Sequence, residues 1–519
     1  MIIKKHIRPK ANICLTIFFL IPLLYCSFLI HQYSVDVPFL DDWDVVKHEV
    51  WFENNGFSIS KLWEMSVSGG GHRVFFSELI FLLVSVISKW DMRAVMWVSL
   101  FLMTCTCVLL IVYQYNRGKD LTVCLPVSVI IFFLQQTGVF YWAYEISFVL
   151  CRLAAIACLL FWEKYRIQKK KRLFAVCILS GIVSTYSSGQ GMLVWIALLF
   201  CMALKWIVEK QKPKKYEIIT LLFACLCFIG YFLGLKNTSF LNNGNIAANL
   251  FNIFVFAVSL AGASIARNIT AAVAVGSIFL LMTGIVIYLN IRKKTYIQTL
   301  PFMMLIYSWG VICVTAISRY SWGMEKSLET TYTTFSLLIP LSIILTVNQM
   351  CANVTVKRIL SAVLSVMLFW YSCSSINLIK HMNMGRILAQ YVVYNNSEMP
   401  ASLQKKPELV EYLEQNRYSL FQQEGKGETE KRDQQNRIEQ NLHEGACKTV
   451  EGKDYYYLYI NSIPDEMKGN NDYSASFLIN GNEYPACRYE NIVVGYVSKE
   501  ALSDHPVSLI WRSVDDGTE

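Results

Sequence analysis

Apolar runs of roughly 16 to 22 residues, each closed by a polar or basic stretch, recur along the chain from Asn12 to about Leu378. At about 1.5 Å of rise per residue, helices of that length cross about 30 Å of hydrocarbon, so the repetition predicts a mainly α, polytopic helical membrane bundle. Eleven crossings are expected, at about 12–31, 92–113, 121–136, 146–162, 173–188, 190–207, 217–235, 270–291, 298–317, 331–350 and 357–377. Two further apolar stretches, Val74 to Ser88 and Leu250 to Ala266, are read as partly embedded segments on the outer side. The reason is charge. Lys and Arg collect in cytoplasmic loops. Arg117/Lys119, Lys164 to Arg172, Lys205 to Lys215, Arg292 to Lys294 and Lys357/Arg358 all fall on one side only if those two stretches do not cross.

The first run, Ile13 to Ile30, follows a basic front of Lys4, Lys5, Arg8 and Lys10 and lacks a small-residue cleavage site, which predicts a retained signal anchor with a cytoplasmic N-terminus. Both termini of the bundle are then assigned: N-terminus inside, C-terminal region outside, in a multi-pass cell-membrane protein.

After Leu378 the pattern changes. Residues 380–446 read as a helical and linker segment, with "PELVEYLEQNRYSLF" at helical spacing before the charged run "QQEGKGETEKRDQQNRIEQN". Residues 447–519 read as a small extracytoplasmic β-sandwich-like module, from runs such as "YSASFLING" and "NIVVGYVS" separated by turn residues such as "NGN". Only Cys447 and Cys487 of the 16 cysteines fall in this exported tail, and an oxidising exterior would permit one disulfide between them. Residues 1–379 form the transmembrane domain, with a first outer loop at 32–73.

Composition agrees with this class: 54% hydrophobic and 16% charged residues is too apolar for a set of soluble domains. From Lys380 onward there are 15 Lys/Arg against 22 Asp/Glu, net −7; the whole chain is +9, so the first 379 residues carry +16. That positive charge sits in short inner loops, which points to the membrane and not to nucleic acid. Of the 16 acids in the first 379 residues, 12 fall on the expected outer side. No topological rule requires that, so the acids mark where chemistry is expected.

The densest acidic motif is "VPFLDDWDVVK", where Asp41, Asp42 and Asp44 surround Trp43. One carboxylate suffices to cap the helix that follows. The same loop ends in "SGGGHRVFF", with a re-entry allowed by Gly69 to Gly71 before His72 and Arg73. Glu145 sits at an outer edge in "FYWAYEIS", with Arg152 a turn or two further in as its structural partner. Arg319 follows the ninth span, and interfacial snorkelling would account for it on its own. Gly189, Gln190 and Gly191 read as a tight, packed turn.

A cytoplasmic N-terminus, one span, an acid motif in the first outer loop ("FLDDWD"), a half-embedded segment ("GHRVFFSELI") and a second outer loop around Glu145 together resemble the membrane-embedded glycosyltransferases of the GT-C superfamily. The stretch "ISRYSWGMEKSLETTYTTFSLL" resembles a late outer loop of uncharacterised multi-span proteins of polysaccharide loci. The likeness is architectural, over roughly residues 1 to 380, and a single Glu stands where oligosaccharyl-transferring members carry an acid pair. It implies an enzyme that moves a sugar from a polyprenyl-phosphate-linked donor in the membrane lipid to an envelope glycan, lipid or polymer acceptor. Asp41 or Asp42 would be the general base. Arg319 with Tyr320, and also His72, Arg73, Lys326 and Glu145, would bind substrate or phosphate. Asp44 and Glu145 would be the ligands of any divalent cation, Mg²⁺ or Mn²⁺. The alternative is a non-catalytic, flippase or polymerase component of a cell-surface polysaccharide pathway. A flippase would carry charges or broken helices at mid-span, which the apolar runs largely lack.

Overall fold

Helices α1 (Pro9–Tyr33), α5 (Met92–Asn116), α8 (Ile146–Gln168), α9 (Lys171–Thr185), α10 (Leu193–Glu209), α11 (Lys215–Phe232), α13 (Ile269–Lys293), α14 (Leu300–Arg319) and α17 (Val354–Ser374) form most of the first region. The computed structural model describes residues 9–64, 72–117, 121–233, 249–293, 297–350, 353–376, 407–422, 437–441, 447–451, 455–460, 473–489, 492–498 and 506–513, with single positions between 378 and 386 and at 502. Lys119, Lys294 and the Gly69 to Gly71 re-entry lie outside these residues.

Among the described residues, seven helices are long and apolar enough to cross a membrane: α5, α8, α10, α11, α13, α14 and α17. They coincide with seven of the eleven expected spans. Of the others, α1 has 25 residues and α9 has 15. The remaining two are broken: α6 (Leu125–Ile131) with α7 (Thr137–Tyr141), and α15 (Thr333–Ser336) with α16 (Leu338–Met350). The two stretches expected not to cross are α4 (Phe75–Ile87) and α12 (Leu250–Gly262), of 13 residues each. Thirteen residues make about 20 Å of helix, short of about 30 Å of hydrocarbon.

α17 shows the polarity of a lipid-facing helix. Ile359, Val363, Val366, Met367 and Trp370 are exposed, while Ser361, Ser365 and Ser372 are buried. A water-soluble helix places these types the other way round. α12 packs antiparallel on α13 at glycines, since a Cβ on Gly262 would strike the Ala272 carbonyl and one on Gly276 the Val258 carbonyl.

Hydrogen bonds across helix ends gather the basic clusters at one end. Glu163 near the end of α8 pairs with Arg117, accepts from the Leu300 amide at 2.6 Å and takes the Tyr113 hydroxyl at 3.4 Å. Arg166 donates to the Gln298 carbonyl at 3.2 Å, and Lys357 to the Asn348 carbonyl at 3.0 Å. Glu217 closes the α10–α11 turn through the Lys214 amide at 2.8 Å and the Trp206 indole at 3.0 Å. The segregation expected of the Lys/Arg loops is therefore present as a shared basic end.

By its contacts the chain divides into two units: Met1–Gln32, Trp51–Ser85 and Arg93–Ile379 make one, and Tyr33–Val50, Val86–Met92 and Lys380–Glu519 the other. The acid motif thus groups with the C-terminal region, not with the helices that flank it in sequence. Asp36 fixes that grouping by accepting from the Met92 amide at 2.9 Å and the Ser419 hydroxyl at 3.1 Å.

The second unit also contains α2 from its start (Asp42–Asn55), α18 (Pro407–Gln415) and seven strands. α18 is the helix expected from "PELVEYLEQ", opened by Pro407 and burying Leu409, Val410 and Leu413. The strands are β1 (Arg437–Asn441), β2 (Cys447–Glu451), β3 (Tyr455–Ile460), β4 (Tyr473–Ile479), β5 (Asn482–Tyr489), β6 (Ile492–Ser498) and β7 (Val507–Ser513). Among the described residues they form one antiparallel hydrogen-bonded sheet in the order β1-β7-β4-β5-β6-β3-β2. Alternate residues, among them Leu458, Phe477, Val493, Val497, Leu509 and Trp511, bury one face. Asn480 and Gly481, both at positive φ, close the β4–β5 hairpin, as "NGN" led one to expect. β1 lies inside the run read as linker; its charged sequence hides a strand that pairs along β7 from Arg437 to Asn441. Cys447 on β2 and Cys487 on β5 are separated by β3 and β6, about 14 Å at about 4.8 Å per strand, so one disulfide cannot join them across the sheet.

Glu163→Gln, which keeps the shape but removes the charge opposite Arg117, is expected to cost about 2–4 kcal/mol. A thermal-unfolding midpoint in detergent that stays at the wild-type value would show that this pin does not hold the basic end.

Candidate functional site

At the end of the helical unit opposite the basic clusters, several expected residues come together around one that was not expected, Tyr332. Arg319 closes the last turn of α14, where a cation is favoured by the helix dipole, and its guanidinium lies 3.9 Å over the Trp322 ring. It also reaches the Tyr332 hydroxyl, and Glu145 and Glu329 act on the same hydroxyl electrostatically. Glu145 is buried as the N-cap residue of α8, with no side-chain capping bond. One turn further on, Phe148 packs 6.2 Å from Tyr332. Tyr320 begins the short 3₁₀ turn after α14.

His72 is the remaining member. Its Nδ1 is 3.3 Å from the Tyr231 hydroxyl, and a Cβ on Gly189 would lie 2.8 Å from that nitrogen. Gly189 is therefore a close-packing position, as is Gly191 against the Ser184 carbonyl. Burial, and then the nearby Arg319 charge, pushes the His72 imidazolium down from 6.5 to about 4. A neutral imidazole offers no charge to a phosphate.

Two other expected phosphate ligands are engaged elsewhere. Arg73 donates through Nε to the Tyr231 carbonyl at 2.8 Å, through its two terminal nitrogens to the Trp63 and Leu233 carbonyls, and sits 5.1 Å over the Trp63 ring. Two of these nitrogens tie the loop end to the end of α11, and the third holds the Trp63 carbonyl. Lys326 pairs with Glu329 at 3.0 Å.

Arg152 does not pair with Glu145. Its Nη1 donates to Gln136 Oε1 at 3.0 Å and to Thr334 Oγ1 at 2.6 Å. Arg267, between α12 and α13, donates to the Gln135 side chain and to the Leu328 carbonyl at 3.1 Å. Gln135, Gln136, Tyr332 and Thr334 went unremarked in the sequence, although "LQQTG" and "TTYTT" are polar islands inside apolar runs. That interruption was the available signal.

In the second unit the three acids separate by role. Asp42 is 1% exposed, and its Oδ2 accepts from the Phe39 amide at 2.9 Å, so it fastens the turn that opens α2. Asp41 is raised from 3.8 to about 6, first by burial and then by the Asp44 charge. Arg386 stacks 5.3 Å over Phe39 in the same turn. Among the described residues no three His, Cys, Asp or Glu side chains are grouped to hold a metal ion, and Asp44 and Glu145 belong to different units.

Compared with protein-family models, curated proteins and solved structures, the chain matches none.

The His72 shift gives a signed pH test. The folded state holds the imidazole neutral, so its contribution is complete above the unfolded value of 6.5 and is lost as pH falls toward 4. Unfolding midpoints are expected to drop between pH 6.5 and 4, with a shallower slope in His72→Gln; identical slopes would contradict the assignment.

Proposed function

We propose that this chain is a membrane-embedded glycosyltransferase of GT-C type, moving a sugar from a polyprenyl-phosphate-linked donor to an envelope glycan, lipid or polymer acceptor on the outer face. The observation that carries the reading is the Asp41 carboxyl, raised to about 6 beside Asp44 while Asp42 is committed to the turn. A base acts best with a pKa near the working pH, and a half-buried carboxylate next to a second one meets that condition. In the proposed reaction the acceptor hydroxyl oxygen bonds to the anomeric carbon as the bond from that carbon to the phosphate oxygen breaks. Asp41 takes the hydroxyl proton, and the leaving group departs as polyprenyl phosphate. Within the helical unit, Arg319 with Tyr332 beside it is the guanidinium whose planar fork matches two oxygens of a phosphate. The gathering of Lys and Arg at the opposite end of the helical unit supports placing Arg319 on the outer side of the membrane.

A second reading draws on the broken α6–α7 segment and buried Arg152. Irregular backbone and an interior charge also suit a non-catalytic component that carries a polar, lipid-linked cargo.

Transfer of radiolabelled sugar from a polyprenyl-phosphate donor separates the two. Asp41→Asn is expected to reduce transfer by about 10²–10⁴-fold, and Asp42→Asn by less than about tenfold with a lower unfolding midpoint. Because the base must be ionised, wild-type kcat/KM rises with pH up to about 6 and then levels. Full transfer by Asp41→Asn, or none by wild type with any donor while labelled lipid-linked sugar crosses reconstituted vesicles, would overturn the enzymatic reading.

A further inference from the structure

Arg152 lies in the apolar run "ISFVLCRLAAIACLL" of α8 and is completely buried. Its Nη1 is saturated by Gln136 Oε1, Thr334 Oγ1 and, at 3.4 Å, the Thr334 carbonyl; the Thr334 hydroxyl in turn bonds Gln136 at 2.8 Å. Its Nε and Nη2 have no hydrogen-bond partner among the described residues, and neither meets solvent. Those two N–H groups point the same way and form one edge of the guanidinium, the edge that grips two oxygens of a phosphate or carboxylate side by side. The pinned lobe fixes where this fork aims.

A second buried donor is close in sequence to the pinning residue. Thr137, beside Gln136, is fully buried, and its hydroxyl also lacks a partner. The backbone here departs from helix, passing from α6 through a 3₁₀ turn at Leu134–Gln136 into α7. Among apolar helices such irregular backbone is tolerated where it lines a polar site. Phe148, one turn nearer the Glu145 end of α8, packs against Tyr332 and Phe335, so Arg152 lies one turn below the cluster at Tyr332.

We infer that Arg152, held by Gln136 and Thr334, is the floor of an oxyanion site that takes a phosphate group on its Nε–Nη2 edge. The Nε–Nη2 edge sets two donors side by side to match two phosphate oxygens, and Thr137, next to the pinning Gln136, carries a further buried hydroxyl without a partner. The fold alone carries the oxyanion site. That the phosphate is borne by an isoprenyl lipid rests on the proposed function.

The test uses full-length protein in detergent, with unfolding midpoint followed against inorganic phosphate, geranylgeranyl phosphate, geranylgeraniol, and chloride at matched ionic strength. A ligand of the folded state raises the midpoint saturably. A phosphate-bearing probe is expected to do so while geranylgeraniol and chloride do not. Response to geranylgeranyl phosphate at far lower concentration than to inorganic phosphate assigns a lipid-borne group, and equal response assigns a free phosphate; both support the site. Arg152→Lys keeps the charge but loses the fork, and Thr137→Val removes one hydroxyl without removing charge. Each is expected to need roughly tenfold more probe, equivalent to about 1.4 kcal/mol. Asp41→Asn is expected to bind as wild type, so loss of transfer with retained binding leaves the site standing. No response to either phosphate, an equal response to geranylgeraniol, or unchanged affinity in both Arg152→Lys and Thr137→Val would overturn the inference.

Discussion

Polar groups surrounded by hydrocarbon have no water to turn to, and the helical unit is organised by how it satisfies them internally. Hydroxyls inside the spans fold back onto their own helices, as Thr185 does onto the Gly181 carbonyl at 2.8 Å and Thr283 onto Phe279 at 2.7 Å. Apart from Arg152, charges such as Glu163 and Arg73 are held at the ends. Glu163 joins α5, α8 and α14 at one of them, and Arg73 ties a loop to α11 at the other. These are clamps, and their work is done once the bundle has formed. Arg319 differs, since its guanidinium rests on the half-exposed Trp322 ring and a tyrosine hydroxyl and takes up no row of carbonyls.

The same accounting sorts the carboxylates of the second unit. Asp36 holds the chain near Met92 against Ser419, and Ser419 donates its own amide to the Lys89 carbonyl at 2.9 Å. Asp42 holds the Phe39 turn. A carboxylate fixed by amide donors is a structural part, whereas Asp41 is left with burial and a like charge, the two influences that raise a carboxyl toward neutral pH. Asp36, Asp41 and Asp42 thus have three different environments, and for Asp36 a residue 383 positions away helps to create it.

This explains what could be read in advance. Span positions, the basic end, the short α4 and α12, the helix at Pro407 and the Asn480–Gly481 hairpin all depend on local periodicity or turn chemistry, which a sequence displays directly. The choice between Asp41 and Asp42 depends on which amide a carboxylate meets, and Phe39 is visible as that partner only after folding. Arg73 and Arg319 look alike as loop-end arginines; carbonyls of Trp63, Tyr231 and Leu233 separate them. Strand β1 was hidden for a related reason, since an edge strand is specified by its partner β7 more than by its own charged residues.

Interior charge was expected to discriminate surface chemistry from passage of a polar cargo, and Arg152 makes that criterion sharper. A translocation path needs polar groups spaced through the depth of the bundle so that cargo is never stranded. Arg152 is instead fixed at one lobe by Gln136 and Thr334, near the end where Arg319 and Tyr332 gather. Glu163, a buried carboxylate at the other end, is already bound to Arg117 and the Leu300 amide. Under the proposed function, an anchored fork near one end suits a group that receives an anion and keeps it in place.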